Sequence, residues 1–257
     1  METAYTQLCR TWQRLAPKVE GTFAEEPFIE PSPEQFDYLP ADVANGLKEW
    51  YKASISKLVK NCAALRIPYK NWLIVLKTDG DYPVPGTAFR VSVRADYVPL
   101  SSFRLLMVHG EMMKMHGQLM HIRDQLMMSP LSGVMNFANK VLKVDTTMKE
   151  SDPNFRSGCI DIDSLYTLFG NDQKQTTKFI NDWRVRESLL SLQDPVVFTF
   201  GIHGYVAKQI NLCQSLDVTD QEQTERTIAF YKLALDTLSA QGLIATEPSN
   251  TESPKSK

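Results

Sequence analysis

The chain has 257 residues, of which 43% are hydrophobic and 23% charged, as expected for a folded globular protein with its own core. It contains no apolar run of about eighteen residues and no continuous apolar segment near its start, so we expect neither a membrane span nor a secretory signal. The four cysteines lie far apart without a CxxC pair, which argues against a zinc cluster or a disulfide framework and favours a reducing, cytoplasmic compartment.

The net charge of −2 is unevenly distributed along the chain. Residues 1–40 carry three basic and seven acidic side chains, residues 41–145 carry fourteen and eight, and residues 146–257 carry eleven and fifteen. The three parts therefore have net charges of −4, +6 and −4. A basic middle between acidic flanks indicates contacts within or between subunits, a patch for an anionic polymer, or ordinary solvated faces.

The N-terminal part predicts a helix followed by an extended arm. Residues 4–18 have helical spacing, with Leu8 and Trp12 on the apolar side. Residues 21–40 contain four prolines, a density that excludes a helix. They also contain four aromatic residues among acidic ones, which a solvated linker does not need. We expect this arm to pack on its own domain or on a neighbouring molecule, and its candidate partner-binding residues are Phe23, Phe28, Phe36 and Tyr38.

The next segments predict one long helix and one β-hairpin. Residues 41–65 have apolar residues at helical spacing and lysines on the outer side. Residues 71–78 form a short apolar run, and residues 88–98 alternate between apolar and polar side chains with the period of a half-buried strand. These two segments predict a hairpin at about 72–98, the only sheet that the sequence indicates clearly.

Residues 101–128 are predicted to form a helix that carries an unusual cluster of methionines, since eight of the ten lie between residues 107 and 135. One apolar stripe of this helix holds His109, Met113, His116 and Met120. The stripe is consistent with a buried seam between helices, with an adaptable groove for a partner, or with a soft-metal site for Cu(I). Because one helix rarely completes a coordination sphere, we favour the seam, with His109 and His116 turned inward and no metal bound.

Residues 161–186 have the form of two helices joined by a tight turn at Gly170. Asp161 and Asp163 are predicted to begin the first helix, where carboxylates complement the helix dipole. The second helix would open with side chains that contact bases and phosphates in a major groove, and the candidate nucleic-acid-binding residues are Lys174, Gln175, Thr177, Lys178, Arg184 and Arg186. The segment resembles the helical DNA-binding modules of phage antirepressors. Because Tyr166 stands where such motifs usually need a small residue, an ordinary helix pair is the alternative.

The C-terminal part predicts a short strand at 195–200 and helices near 202–214 and 220–241. Gly242 is suited to ending the last helix. Residues 247–257 have the composition of a disordered tail.

The sequence as a whole predicts an α+β protein that is predominantly α-helical: a helical body with one β-hairpin, an N-terminal helix and an extended arm. Residues 1–40 would form the helix and arm, residues 41–246 the core domain, and residues 247–257 the tail. No glycine-rich phosphate loop, HExxH or GxSxG motif occurs, so we assign no catalytic residue and no cofactor.

We therefore expect a non-enzymatic assembly protein, which associates with itself or with other subunits through its arm. The alternative is a nucleic-acid-binding protein, as a coat-like subunit that follows phosphates or as a helix–turn–helix regulator. An enzyme remains a third possibility, because active sites are assembled from residues distant in sequence.

Overall fold

The computed structural model describes residues 3–27, 61–78, 88–111, 156–192, 196–201, 209–217 and 220–245. Strands and helices share these residues about equally, and there are ten strands. In chain order they are β1 (Thr22–Pro27), β2 (Asn61–Tyr69), β3 (Trp72–Thr78), β4 (Ala88–Asp96), β5 (Val98–Pro99), β6 (Leu105–His109), β7 (Tyr166–Gly170), β8 (Val197–Phe200), β9 (Gln209–Asp217) and β10 (Ile244–Ala245). Eight of them form one antiparallel sheet in the order β1-β2-β3-β4-β9-β8-β6-β7, while β5 pairs with β10.

The helices of the described residues pack on one face of this sheet. They are α1 (Ala4–Leu15), a 3₁₀ turn (Ala16–Val19), α2 (Ile160–Leu165), α3 (Gln173–Ile180), α4 (Trp183–Leu190) and α5 (Gln221–Ala240). Phe198 of the sheet lies between α3 and α5, with its ring centroid 5.9 Å from that of Phe179 and 6.0 Å from that of Phe230. Trp12 of α1 is fully buried in the same core. None of the helices in the described ranges is both long and apolar enough to cross a bilayer.

The first and last of these helices confirm the sequence prediction because local signals fix both. Thr3 begins α1, and its hydroxyl accepts a hydrogen bond from the N–H of Thr6 at 3.2 Å. The carboxylate of Asp220 begins α5 in the same way. Gly242 ends α5 with a φ of +70°, and the N–H of Leu243 then donates to the carbonyl of Leu238 at 3.0 Å.

The predicted hairpin is also confirmed, as β3 and β4. Leu76 lies opposite Val93, and both are fully buried under the helices. Lys77 and Ser92 lie opposite each other on the other face. The predicted strand near 195–200 is present as β8.

The prediction of a predominantly α-helical protein with one hairpin is wrong, because four segments predicted as helix form strands: the three given next and residues 166–169, which belong to β7. Residues 61–65 begin β2, residues 105–109 form β6, and residues 209–214 belong to β9. Residues 62–65 are buried in succession, and a continuous apolar run of this kind is common to buried helices and buried strands. Pairing with neighbouring strands, and not local periodicity, decides these segments.

Several predictions lie outside the described residues. They are the helix at 41–60, the arm beyond Pro27, the helices within 112–155 together with His116, the segment 202–208, and the tail at 247–257.

Candidate functional site

The strand β7 lies at one edge of the large sheet and has the sequence Tyr-Thr-Leu-Phe-Gly, without a charged residue or a proline. Its whole length pairs with β6, and no other described strand pairs with its outer side. Tyr166 and Leu168 face the core and are buried, while Thr167 and Phe169 are half-buried on the other face. An uncharged edge strand is a template for pairing with another chain.

The main-chain groups of β7 divide between its two sides. The N–H of His109 donates to the carbonyl of Val196 at 3.0 Å, on the β8 side of β6. Because successive residues of an antiparallel strand point these groups in opposite directions, Met107 also faces β8. Its partner on β7, Leu168, therefore directs its N–H and C=O away from β6, and Gly170 does the same.

Two large aliphatic side chains on α2 lie next to this edge in the chain. Ile160 is 86% exposed and Leu165, the residue before β7, is 41% exposed. Asp163 fixes the start of this helix, since its carboxylate accepts the N–H groups of Ser157 at 2.8 Å and Gly158 at 3.2 Å. The acidic start of α2 confirms the sequence prediction. We call β7 together with Ile160 and Leu165 the edge surface.

The opposite edge of the sheet, β1, is built differently. It carries an exposed Glu25 and ends at Pro27, which has no N–H to offer a further strand. Glu26 forms ion pairs with Arg66 and, at 2.8 Å, with Lys77. Charges and proline are the usual means of blocking an edge. The sheet thus has one blocked edge and one edge suited to pairing.

A second candidate site is a groove of about 690 Å³ on the helical side. The turn between β2 and β3, the junction of α3 and α4, and the end of α5 meet there. The residues that line it, which we call the helix groove, are Lys70, Lys178, Asn181, Asp182, Arg184, Asp236, Thr237, Ala240 and Gln241. These three parts of the chain are separated in sequence, so the groove exists only in the folded protein.

One wall of the helix groove is organised by Asp236. Its carboxylate accepts the hydroxyl of Tyr69 at 2.7 Å and the ammonium of Lys70 at 2.5 Å. The hydrogen bond to Asp236 raises the pKa of Lys70, which stays charged. Burial, followed by the hydrogen bond to Asp236, raises the pKa of Tyr69, which stays protonated. The ammonium of Lys232 lies 5.0 Å from the Tyr69 ring centroid, within cation–π range.

The other wall is organised by Asp182, which begins α4. Its carboxylate accepts the N–H of Arg184 at 3.0 Å and binds the guanidinium of the same residue through Nε at 3.1 Å and Nη2 at 2.7 Å. The hydrogen bond from Arg184 lowers the pKa of Asp182. Trp183, which lies between Asp182 and Arg184 in the chain, is 66% exposed. Among the described residues no ion-pair partner is found for the ammonium of Lys178.

The predicted helix–turn–helix is wrong, since its first helix ends at Leu165 and continues as β7. Alternate burial of Tyr166 and Leu168 under the helices is the reason, because it gives the segment the period of a strand. The predicted second helix is divided into α3 and α4 at Asn181 and Asp182.

The six predicted nucleic-acid-binding residues are only partly brought together. Lys178 and Arg184 line the helix groove. The other four do not line it: Lys174 is exposed on α3, Gln175 donates its N–H to the capping Asp172, Thr177 accepts Gln173 Nε2 at 3.2 Å, and Arg186 lies 3.9 Å from Glu187.

The predicted arm and histidine seam are described only in part. Phe23 lies on β1 opposite Leu65 and packs on the core of its own chain. Phe28, Phe36 and Tyr38 lie outside the described residues. His109 was predicted in a helix, but it is half-buried at the end of β6, edge-on to Tyr166 with ring centroids 5.2 Å apart.

Sequence reasoning missed Tyr69, Lys70 and Asp236. Lys70 follows β2 in a tight turn with a φ of +54°, and Asp236 is the one acid in the largely buried second half of α5. A carboxylate on a largely buried helix rarely lacks a partner, so Asp236 was the residue from which a polar contact could have been predicted. Within the described ranges no group of three or more His, Cys, Asp or Glu side chains could hold a metal ion.

The chain matches no protein-family model, no curated protein and no solved structure. The function therefore has to be inferred from the chemistry of the edge surface and of the helix groove. Of these, the edge surface has the clearer precedent, because strand addition needs only main-chain groups and a flat, uncharged edge.

Proposed function

We propose that this protein is a non-enzymatic assembly protein that self-associates through its edge surface. The β7 strand of one copy would pair with β7 of a second copy and join the two sheets. The observation that carries this proposal is the outward direction of the main-chain groups of Leu168 and Gly170, on a strand without charge or proline.

The proposed pairing is antiparallel and two-fold symmetric, which is the usual symmetry of a dimer. Leu168 would lie opposite Leu168 of the second copy, and each would donate its N–H to the carbonyl of the other. Gly170 would donate to the carbonyl of Tyr166 of the second copy. The N–H of Tyr166 is already bonded to the carbonyl of Ile162 at the end of α2, so Tyr166 contributes its carbonyl alone.

Apolar burial supports the same arrangement. Ile160 and Leu165 would be covered as the second copy approaches the edge, and covering one such side chain completely contributes about 2 kcal/mol. The blocked edge at β1 would stay outside the contact. This would limit association to a closed dimer, because among the described strands a dimer formed at β7 leaves charged, proline-ended β1 at its two ends.

The N-terminal helix and β1 stay on their own domain in this proposal, so the edge surface takes the role that the sequence suggested for the arm. None of the four cysteines forms a disulfide, and three of them are buried: Cys9, Cys62 and Cys159. Buried cysteines without a disulfide fit the reducing, cytoplasmic environment that we propose for the assembly.

Light scattering and sedimentation equilibrium over about 1 µM to 1 mM protein test the proposal, a range that covers weak and moderate dimers. The mass should rise from one chain to two. Thr167→Lys adds a charge at the edge surface and should shift the transition to higher concentration. Thr22→Lys makes the same change on exposed β1 and should leave it unchanged. A mass of one chain throughout, or equal effects of both variants, would refute the proposed contact.

A further inference from the structure

We infer that the helix groove binds single-stranded nucleic acid, with phosphates on Lys178 and Arg184 and a base stacked on Trp183. This inference is independent of self-association, because none of these residues belongs to the edge surface. It replaces the helix–turn–helix mode of binding, which the strand β7 excludes.

The charge of the groove favours a phosphate-bearing ligand. Three cations line it, Lys70, Lys178 and Arg184, against the two carboxylates of Asp182 and Asp236. Each carboxylate is already held by a cation of its own, since Asp236 binds Lys70 and Asp182 binds Arg184. The groove therefore presents a net charge of +1 to a ligand, and a polyanion gains by releasing its condensed counterions there.

An exposed tryptophan next to one of these cations in the chain points to unpaired bases. Trp183 is the first residue of α4 and stands between two lining residues in the chain, Asp182 and Arg184. An indole that is 66% exposed costs free energy in water, and it is a platform on which any base can stack. In a duplex the bases are stacked on each other and are not available for this contact.

The α3 and α4 helices are also unsuited to reading a duplex. Each has eight residues, and each begins with an aspartate, Asp172 and Asp182, whose carboxylate occupies the helix N-terminus. Recognition helices contact bases from this end, and in both helices the capping carboxylate already occupies it. The cations instead lie at the junction between the two helices, which forms a wall of the groove.

Fluorescence anisotropy of the full chain with a labelled oligothymidylate of about twelve nucleotides tests this inference, since single-strand sites span about 4 to 16 nucleotides. We expect binding that weakens with salt. Arg184→Ala should reduce the salt slope by about 0.7, the value for one lost phosphate contact on a single strand. Arg94→Ala removes the same charge from the exposed opposite face of the sheet and is the matched control; it should leave the slope unchanged.

The stacking contact has its own test. Trp183→Ala should weaken binding about tenfold, and Trp183→Phe, which keeps an aromatic face, should recover most of the loss. Thr167→Lys should bind as the unaltered chain does, which separates this inference from the proposed dimer. The inference is overturned if the oligonucleotide does not bind, if Arg94→Ala and Arg184→Ala act alike, if duplex DNA of the same length binds equally well, or if Trp183→Phe behaves as Trp183→Ala.

Discussion

Replacing Thr167 with lysine or with glutamate should weaken the proposed dimer, and mixing the two variants should restore it. In the two-fold pairing Thr167 lies opposite Phe169 of the second copy and diagonally next to its Thr167. Diagonal neighbours on paired strands are about 7–8 Å apart. Two like charges at this separation repel each other, while a lysine and a glutamate attract.

The size of the effect follows from the separation and from the surrounding solvent. At about 7.5 Å two unit charges interact by about 0.5 kcal/mol in bulk water and about 2 kcal/mol at the effective dielectric constant of a protein surface. Since 1.4 kcal/mol is a factor of ten, each variant alone should dimerise about twofold to thirtyfold more weakly. The mixed dimer should be favoured by a similar factor. Thr167 is half-buried on the solvent side of β7, so either charge leaves the core intact.

Sedimentation velocity at about 20 mM salt, where screening is weak, measures these differences. The two variants are run separately and as an equal mixture at the same total concentration. A mixture that sediments faster than both separate samples supports the pairing, and about 1 M salt should remove the difference. If the mixture sediments as the average of its components, Thr167 does not lie near its counterpart and the β7 contact is wrong.

Three predictions concern stability, measured by thermal and denaturant unfolding. Burial raises the pKa of Glu26, but its ion pairs with Lys77 and Arg66 outweigh burial and lower that pKa. The contribution of Glu26 to stability is therefore present above its ordinary pKa of 4.5 and is lost as the pH falls through the lowered pKa. Glu26→Gln should flatten this loss of stability, and an unchanged profile of stability against acid pH would contradict the ion pairs. Phe198→Ala should cost about 3–5 kcal/mol, since it leaves a cavity at the centre of the core, and a loss under about 1 kcal/mol would contradict this packing. Gly242→Ala should lower stability by about 1 kcal/mol, because a Cβ there would meet open space but the residue has a φ of +70°. Gly201→Ala should lower stability by about 3 kcal/mol, because its new Cβ would overlap the carbonyl of Phe103. Equal losses of stability in the two variants would contradict these two environments.

The accuracy of the sequence prediction depended on whether a segment carried its own signals. The end of α5 was found because Gly242 marks it, and the hairpin because β4 alternates cleanly. The strand β6 was missed because its five residues are nearly all apolar, a composition shared by helices and strands. What makes it a strand is pairing with β7 and β8, which lie far along the chain.

The candidate sites show the same division. Lys178 and Arg184, which the sequence analysis named because both lie in one polar helical segment, line the helix groove. Lys70 and Asp236 were missed because their contact joins positions that only the fold brings together. The edge surface could not be predicted from composition. A strand lies at the edge of a sheet when no strand pairs with its outer side, and this depends on the sheet order and not on the residues of the strand.

The sheet order has a consequence for how the chain is made. Its central strands β4 and β9 share the longest ladder of the described strands, from Ala88 opposite Asp217 to Asp96 opposite Gln209, yet residues 97–208 are synthesised between them. The strands β1 to β4 can pair early, while the chain is still on the ribosome. The strand β4 is then a temporary, apolar edge strand until β9 has been synthesised. Chains released before residue 209 should consequently be caught by chaperones or aggregate, even though they contain every residue of the N-terminal meander.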